Sequence, residues 1–282
     1  MSRLIVNADD FGLTAGVNRA IAKLHHAGLL TSATLMARAG ATDEAIEIAR
    51  STPALGVGCH IVLADGEPVL PPREIHTLAD SATGTFHPTL GKFLPRLLTG
   101  RIRPEEIEAE AAAQIRFLQD RGLHLTHIDT HKHTHMFPAV LRPVLRAAQK
   151  AGIHRIRNPF EPEWAVRASP RAPWLRSTEV FVLRRFGPYF HRMIREHGFT
   201  TTDGTVAMAA TGTLDAPGLR LLLEKLPAGT WELVTHPGYN DADLDRVRTR
   251  LRASREIELQ ALSALEHFPA IERISFANLQ SE

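Results

Sequence analysis

Short β-forming runs alternate with helix-period segments along nearly the whole chain, and this alternation limits the fold more than any other feature. Leu4–Val6 reads as a first strand. Ala15–Ala27 follows with helical spacing at Val17, Ile21 and Leu24, stopped by Gly28. Thr31–Met36 is a second strand, Asp43–Arg50 a short helix, and "LGVGCHIVL" (55–63) a third strand. The clearest helix is Pro104–Arg121. Pro104 suits the first turn, Glu105, Glu106 and Glu108 favour the positive helix start, Ile107, Ala111, Ile115 and Leu118 share one face, and Gly122 ends it. "LHLTHIDTH" (123–131) is a fourth strand and Val140–Ala151 the next helix. "HRIRNP" (154–159) is a candidate fifth strand. "TVAMAA", "TWELVTH" and "IERISF" are later ones, with helices near 215–226 and 243–267 between them.

Strands that alternate with helices in this way form a mostly parallel sheet. About seven or eight units suit an α/β fold of the irregular (β/α) TIM-like barrel kind, with an open doubly wound sheet as the other option. A single domain spanning 1–282 is expected. Residues 64–103, rich in breakers such as Pro68, Pro71, Pro72, Gly84 and Pro88, read as a loop insertion, and 160–200 as a second irregular region.

Composition narrows the function classes. With 44% hydrophobic residues in 282, a sizeable core is available. A formal net charge of +2 lacks the basic excess of a nucleic-acid binder. The one cysteine, Cys59, excludes an internal disulfide and a four-cysteine zinc site. No apolar run approaches the roughly 18 residues of a membrane span, and Met1-Ser2-Arg3 leads straight into a strand without a signal-peptide pattern. A cytoplasmic location is the expectation.

In a parallel barrel, chemistry gathers at the carboxyl ends of the strands. Asp9 and Asp10 follow strand one, and His60 lies late in strand three. His127, Asp129 and His131 end strand four, with His133 and His135 just beyond, and His236 ends "WELVTH". Each alone has an ordinary reading. Asp10 could cap a helix, His60 could be a half-buried histidine, His236 could shape the turn before Pro237, and His133 and His135 could be solvated. Together they converge. The 127–129–131–133–135 alternation would put five polar groups on one face of a strand.

Clustered neutral imidazoles and a carboxylate suit one divalent cation with an open coordination position. Zinc fits such N and O donors, and magnesium, manganese, cobalt and nickel are also compatible. A cation beside Asp10 would relieve the repulsion between the adjacent acids and leave Asp9 ionised as a base towards water. A protonated histidine opposite could act as acid, and His236 is the candidate.

On these residues the sequence resembles the YdjC-like carbohydrate deacetylases, a group that includes the chitooligosaccharide deacetylases and the hopanoid-biosynthesis-associated deacetylases. The matching segments are "LIVNADDFGL", "GVNRAI", "LTSATLM", "LGVGCHIVL", "HIDTHKHTHMFP" and "ELVTHPGY", from near the start to about residue 240. The resemblance implies an irregular (β/α) barrel, a divalent metal, and hydrolysis of an N-acetyl group from an amino sugar. It implies Asp10, His60 and His131 as metal ligands, Asp9 as catalytic base, and His236 as the acid or a transition-state stabiliser. Lys132 stands before His133 where the chitooligosaccharide members carry histidine, so His133 receives no ligand role. "VLADGEPVLPP" resembles the hopanoid-associated branch and makes a lipid-linked amino sugar the alternative substrate. A homodimer is a family expectation.

Residues 174–199 are basic and aromatic. Arg176, Arg184, Arg185, Arg192 and Arg195 lie among Trp174, Phe181, Phe186, Tyr189 and Phe190. They read as a surface helix pair packed on the barrel, or else as a peripheral lipid contact, a sugar-site wall or a subunit contact. Trp164, Trp174 and Trp231 are candidate sugar-stacking residues, with core packing favoured for Trp231. Two rival classes stand beside the deacetylase. A metal-dependent phosphoesterase or amidohydrolase usually opens with H-x-H on strand one, which Asp9-Asp10 replaces here. A non-catalytic metal- or sugar-binding protein would not need the extra carboxylate at Asp9 or the histidine at 236.

Overall fold

The computed structural model describes residues 1–169, 184–267 and 271–280. Its strands are β1 (Ser2–Phe11), β2 (Ser32–Leu35), β3 (Gly56–Ile61), β4 (Ile128–Thr130), β5 (Gly204–Val206), β6 (Gly229–Thr235) and β7 (Glu272–Arg273). All neighbouring pairs are parallel, in the order β4-β3-β2-β1-β6-β5. β7 pairs with Arg3 and Leu4 of β1, below the point where β2 joins at Asn7. β1 therefore lies between β2 and β6, its early and late partners. The sheet curls in barrel order rather than reversing at a switch point, as a doubly wound sheet does.

The curl is a half-barrel that stays open between β4 and β5. The expected fifth strand at 154–159 spans that gap through single bridges only, Ile128 to Ile156 and Arg155 to Thr200. Pro159 has no N–H to extend such a ladder. β4 is also shorter than the nine residues expected. The chain leaves the strand at Thr130 into a 3-10 turn, His131–Met136, in which Lys132 and His133 adopt left-handed conformations. The expected 243–267 helix is broken as well, into Ala242–Asp245 and Ala253–Ser263.

Helices α1 (Ala15–His26), α2 (Thr42–Ser51), α3 (Leu90–Leu98), α4 (Pro104–Gln119), α5 (Pro138–Lys150) and α6 (Glu163–Ala168) precede the 187–196 segment. The main apolar core takes Leu4, Val6 and Ala8 of β1 together with Val17, Ile21 and Leu24 of α1, the period-2 and period-3.6 faces meeting. Ile5 faces the other way, into a small separate cluster with Phe276 and Leu279. The next positions on that inner face are Asn7 and Asp9. The barrel interior thus passes from an apolar plug to polar groups: Ser32, Thr34, His60, His127, Asp129, Arg157, Thr205 and Glu232 are all buried.

Residues 64–103 are more than loop, since they contain α3, which the breaker-rich sequence did not suggest. They are tied down by α4. Glu110 accepts from the N–H of Val69 and Leu70 at 2.8 and 3.0 Å. Glu106 accepts from the N–H of Thr77 at 2.8 Å, a role beyond the helix-dipole one expected of it.

His127 belongs to the plug rather than to the strand-end cluster. Its ring stacks on Phe276 with centroids 3.8 Å apart. It fits only because residue 58 is glycine, where a Cβ would lie 2.6 Å from the imidazole. Gly58→Ala should therefore destabilise the fold by about 1–3 kcal/mol, the usual cost of overpacking, as read by urea denaturation. An unchanged midpoint would contradict this packing.

Candidate metal centre and catalytic cluster

The local build starts where β1 stops being regular. Its pairing with β2 shifts register between Ala8 and Phe11, and Asp10 takes a left-handed φ of 63°. In a regular strand Asp9 and Asp10 would point to opposite faces, and a bulge of this kind re-aims one of them. Asp10 does not cap α1, since Thr14 does so by accepting from the Val17 N–H at 3.2 Å. The carboxylate is left for the site.

Asp10, His60 and His131 converge. Asp10 Oδ1 lies 3.6 Å from His60 Nε2 and 3.4 Å from His131 Nδ1, and the two nitrogens are 3.2 Å apart. Donors bound at roughly 2.0–2.2 Å to one cation at octahedral or tetrahedral angles stand about 2.8–3.6 Å apart. The three atoms fit that requirement, and the donor set of two imidazoles and a carboxylate suits a divalent ion. A second group, Asp9, His60 and Asp129, is also compact. Its carboxylates already face the Arg157 guanidinium, which disfavours a further cation there.

Each adjacent acid has its own arginine. Arg157, fully buried, donates to both oxygens of Asp9, at 2.8 and 2.6 Å. It also pairs with Asp129 and with Glu232, the latter at 2.7 Å. Arg255 donates to Asp10 Oδ2 at 2.6 Å. Burial alone would raise both carboxyls, but the guanidinium facing each holds it well below the usual carboxylate range. The repulsion that the sequence reading assigned to a metal is thus met first by two arginines.

His60 is oriented from behind. Its Nδ1 lies 2.8 Å from Asp129 Oδ1, so an N–H donated there leaves Nε2 as the lone-pair atom facing Asp10 and His131. Burial opposes protonation, yet Asp129, Asp9 and Asp10 lift the His60 pKa to about 9. The three carboxylates around His60 outweigh its burial, and their field favours a positive charge at Nε2, whether a proton or a cation. Burial lowers His131, even with Asp10 beside it.

His236 lies between Asp9 and Glu258. Its Nε2 is 3.8 Å from Asp9 Oδ2, and its Nδ1 is 3.8 Å from Glu258 Oε2. Burial opposes its charge, but Glu258 and Asp9 outweigh it and raise the pKa. The remaining histidines of the alternating run do not share one face. His135 is buried, not solvated. Its Nδ1 lies 2.7 Å from Thr130 Oγ1, and its Nε2–H donates to the Arg157 carbonyl at 3.2 Å, so it braces the segment that carries that arginine. His133 keeps a buried Nδ1 and is pushed by burial to about 3.

The structure therefore brings together Asp9, Asp10, His60, His131 and His236, gives Asp129, which the sequence placed at the strand end without a role, the task of orienting His60, and adds Arg157, Arg255, Glu232 and Glu258, which sequence reasoning did not place. Glu232 carried a signal: an acid in the middle of the apolar strand "TWELVTH". Burial pushes it up to about 7. Trp164 and Trp231 meet edge to face at 5.2 Å, and Trp231 is buried. Trp174, Arg176 and Phe181 lie outside the described residues. Within 187–196, Phe190, Met193 and Ile194 are buried while Arg192 and Arg195 are exposed, as in a surface helix packed by its apolar side. Among the described residues no helix is long and apolar enough to cross a membrane.

Comparison with known proteins follows the same outline. The chain is 32% identical over 287 residues to a carbohydrate deacetylase of Brevibacillus brevis, covering 98% of this chain and 99% of that protein. It is 38% identical over 186 residues to a chitooligosaccharide deacetylase of Salmonella paratyphi B, covering 65% and 69%. A crystal structure of a protein from Enterococcus faecalis V583 superposes with a TM-score of 0.77 at 24% identity, over 98% of this chain and 97% of that one, a likeness of fold. The family model described as YdjC-like protein matches residues 3–272, and the chain belongs to that family.

Proposed function

We propose that this protein is a metal-dependent carbohydrate deacetylase that hydrolyses the N-acetyl group of an amino sugar. The observation that carries the reading is the convergence of Asp10, His60 and His131 on one point, with Asp9 and His236 beside it. The names of the relatives supply the reaction class. Asp10, His60 and His131 would hold the cation. When bound, a divalent ion supplies Lewis acidity, raising the acidity of water and polarising the acetyl carbonyl.

The chain's own residues divide the proton work. Asp9, ionised, takes a proton from the water that attacks the carbonyl carbon. Because Arg157 stabilises its charge, Asp9 is a weak base and depends on that water being made acidic. His236, whose proton affinity Glu258 and Asp9 raise, gives its proton to the amide nitrogen as the C–N bond breaks. Acetate and a free amine leave. Asp129 fixes the His60 tautomer throughout.

Acetate release from a panel of N-acetylated amino sugars, with and without chelator, tests the reading. Release that chelator abolishes and a divalent ion restores is the expected result. Phosphate release from phosphorylated sugars in its place, or sugar binding without turnover, would favour the rival classes. His60→Ala and His131→Ala should each weaken cation binding by at least about 10-fold, read by elemental analysis after dialysis. Unchanged occupancy in both would remove the ligand assignment.

A further inference from the structure

The helix Ala253–Ser263 reaches into the site through Arg255 and Glu258, one turn apart and both buried. Arg255 Nη2 donates to Asp10 Oδ2 at 2.6 Å, whereas Asp10 Oδ1 is the oxygen nearest the imidazoles, 3.4 Å from His131 Nδ1 and 3.6 Å from His60 Nε2. We propose that Arg255 is a positioning residue that divides the two oxygens of Asp10, retaining Oδ2 so that only Oδ1 is offered to a cation. The inference rests on the proposed reading of Asp10, His60 and His131 as cation ligands.

Arg255 is built to stay where it is. Its Nε donates to the Leu251 carbonyl at 3.1 Å. Its stem lies against Gly238, where a Cβ would come within 3.1 Å of Arg255 Cδ and of Val17 Cγ2. The same helix start holds the loop after β6 residue by residue. The Gly238 N–H donates to the Arg255 carbonyl at 3.3 Å, the Asn240 N–H to Glu256 Oε1 at 3.2 Å, and the His236 N–H to Glu258 Oε2 at 2.6 Å.

A carboxylate without such a partner binds hard cations through one oxygen or both. Two oxygens from one side chain would fill a position that a hydrolytic site must leave open for water and substrate. A nearby guanidinium also offsets part of the Asp10 charge, so it does not strengthen the electrostatic hold on a cation. Arg255 therefore serves the geometry of the site at no gain in affinity.

The test compares the parent protein, Arg255→Met, Arg255→Lys and Asp10→Asn. Zinc affinity is measured by competition with a chromogenic chelator, kcat and KM by acetate release, and coordination by the visible spectrum of the cobalt-loaded proteins. Arg255→Met should bind one cation no more weakly than the parent and lose about 10- to 100-fold in kcat. Its substrate KM should stay within about threefold. Its cobalt spectrum should lose intensity as coordination number rises. Arg255→Lys, which keeps a donor for Oδ2, should recover part of the kcat and the parental spectrum. Loss of cation binding in Arg255→Met, or a parental kcat and spectrum, would overturn the inference. Should Arg255→Met not fold, Arg255→Gln takes its place with the same expectations, and a parental kcat and spectrum in that variant overturns the inference. A parent that takes up no cation, or an Asp10→Asn variant that keeps it, is a failure of the ligand assignment itself and is visible without any Arg255 variant.

Discussion

Asp9→Asn should lower the rate of acetate release by about 10²- to 10⁴-fold, the range for loss of a general base, while the protein keeps its cation. The cation should stay because the three donors proposed for it, Asp10 Oδ1, His60 Nε2 and His131 Nδ1, do not include Asp9. The fold should also survive. Arg157 would lose its two-pronged contact with Asp9 but keep Asp129 and Glu232. Glu232, lifted by burial to about 7, is only partly ionised near neutrality and can release its proton to restore the balance. The stability cost should be that of a charge-assisted hydrogen bond, about 1.5–3 kcal/mol. Turnover within tenfold of the parent, at equal cation content, would sink the assignment of Asp9 as base.

Arg157→Met carries the largest expected effect on stability. Methionine fills much of the volume but leaves Asp9, Asp129 and Glu232 buried without their common countercharge. Breaking a buried ion pair from one side costs about 3–5 kcal/mol, and here three acids lose their partner. The sign of the pH dependence follows. In the parent, Arg157 holds Asp9 and Asp129 below their unfolded values, so that stabilisation is present above about pH 4 and fades as pH falls through the folded values. In the variant, burial dominates and lifts these carboxyls above their unfolded values, so the folded form binds extra protons below neutrality. The stability gap between parent and variant, read by urea denaturation, should narrow from pH 8 to pH 5. A gap of constant width would mean that the cost is one of packing rather than charge.

Much of this arrangement can be read from the chain before any coordinates. The period-2 and period-3.6 runs locate β1, α1, β2, β3, α4, α5 and β6, and the strand-end rule gathers Asp9, Asp10, His60, His131 and His236. The arginines are different. Arg157 sits in "HRIRNP" beside Arg155, and Arg255 closes the run "RVRTRLRASRE", with Arg246, Arg248, Arg250 and Arg252 before it. Arginine is almost always exposed, and nothing local singles out the one that turns inward. Only tertiary pairing with an acid decides that. The five-residue polar alternation misled for a related reason. Period 2 has meaning only while the chain stays extended, and at Lys132 and His133 the backbone turns left-handed, which sends the later histidines elsewhere. The 154–159 run has strand composition, but its partners on either side offer it only isolated bridges.

Asp10 meets its guanidinium across 245 positions of chain. A contact of that separation closes a long loop, so the proposed site should be completed late in folding. A chain in which β1 has paired with β2, and β2 with β3, would still carry Asp10 without its counterion. Recovery of acetate release should trail recovery of secondary structure by the time the helix Ala253–Ser263 takes to dock, as read by parallel activity and far-ultraviolet measurements during refolding.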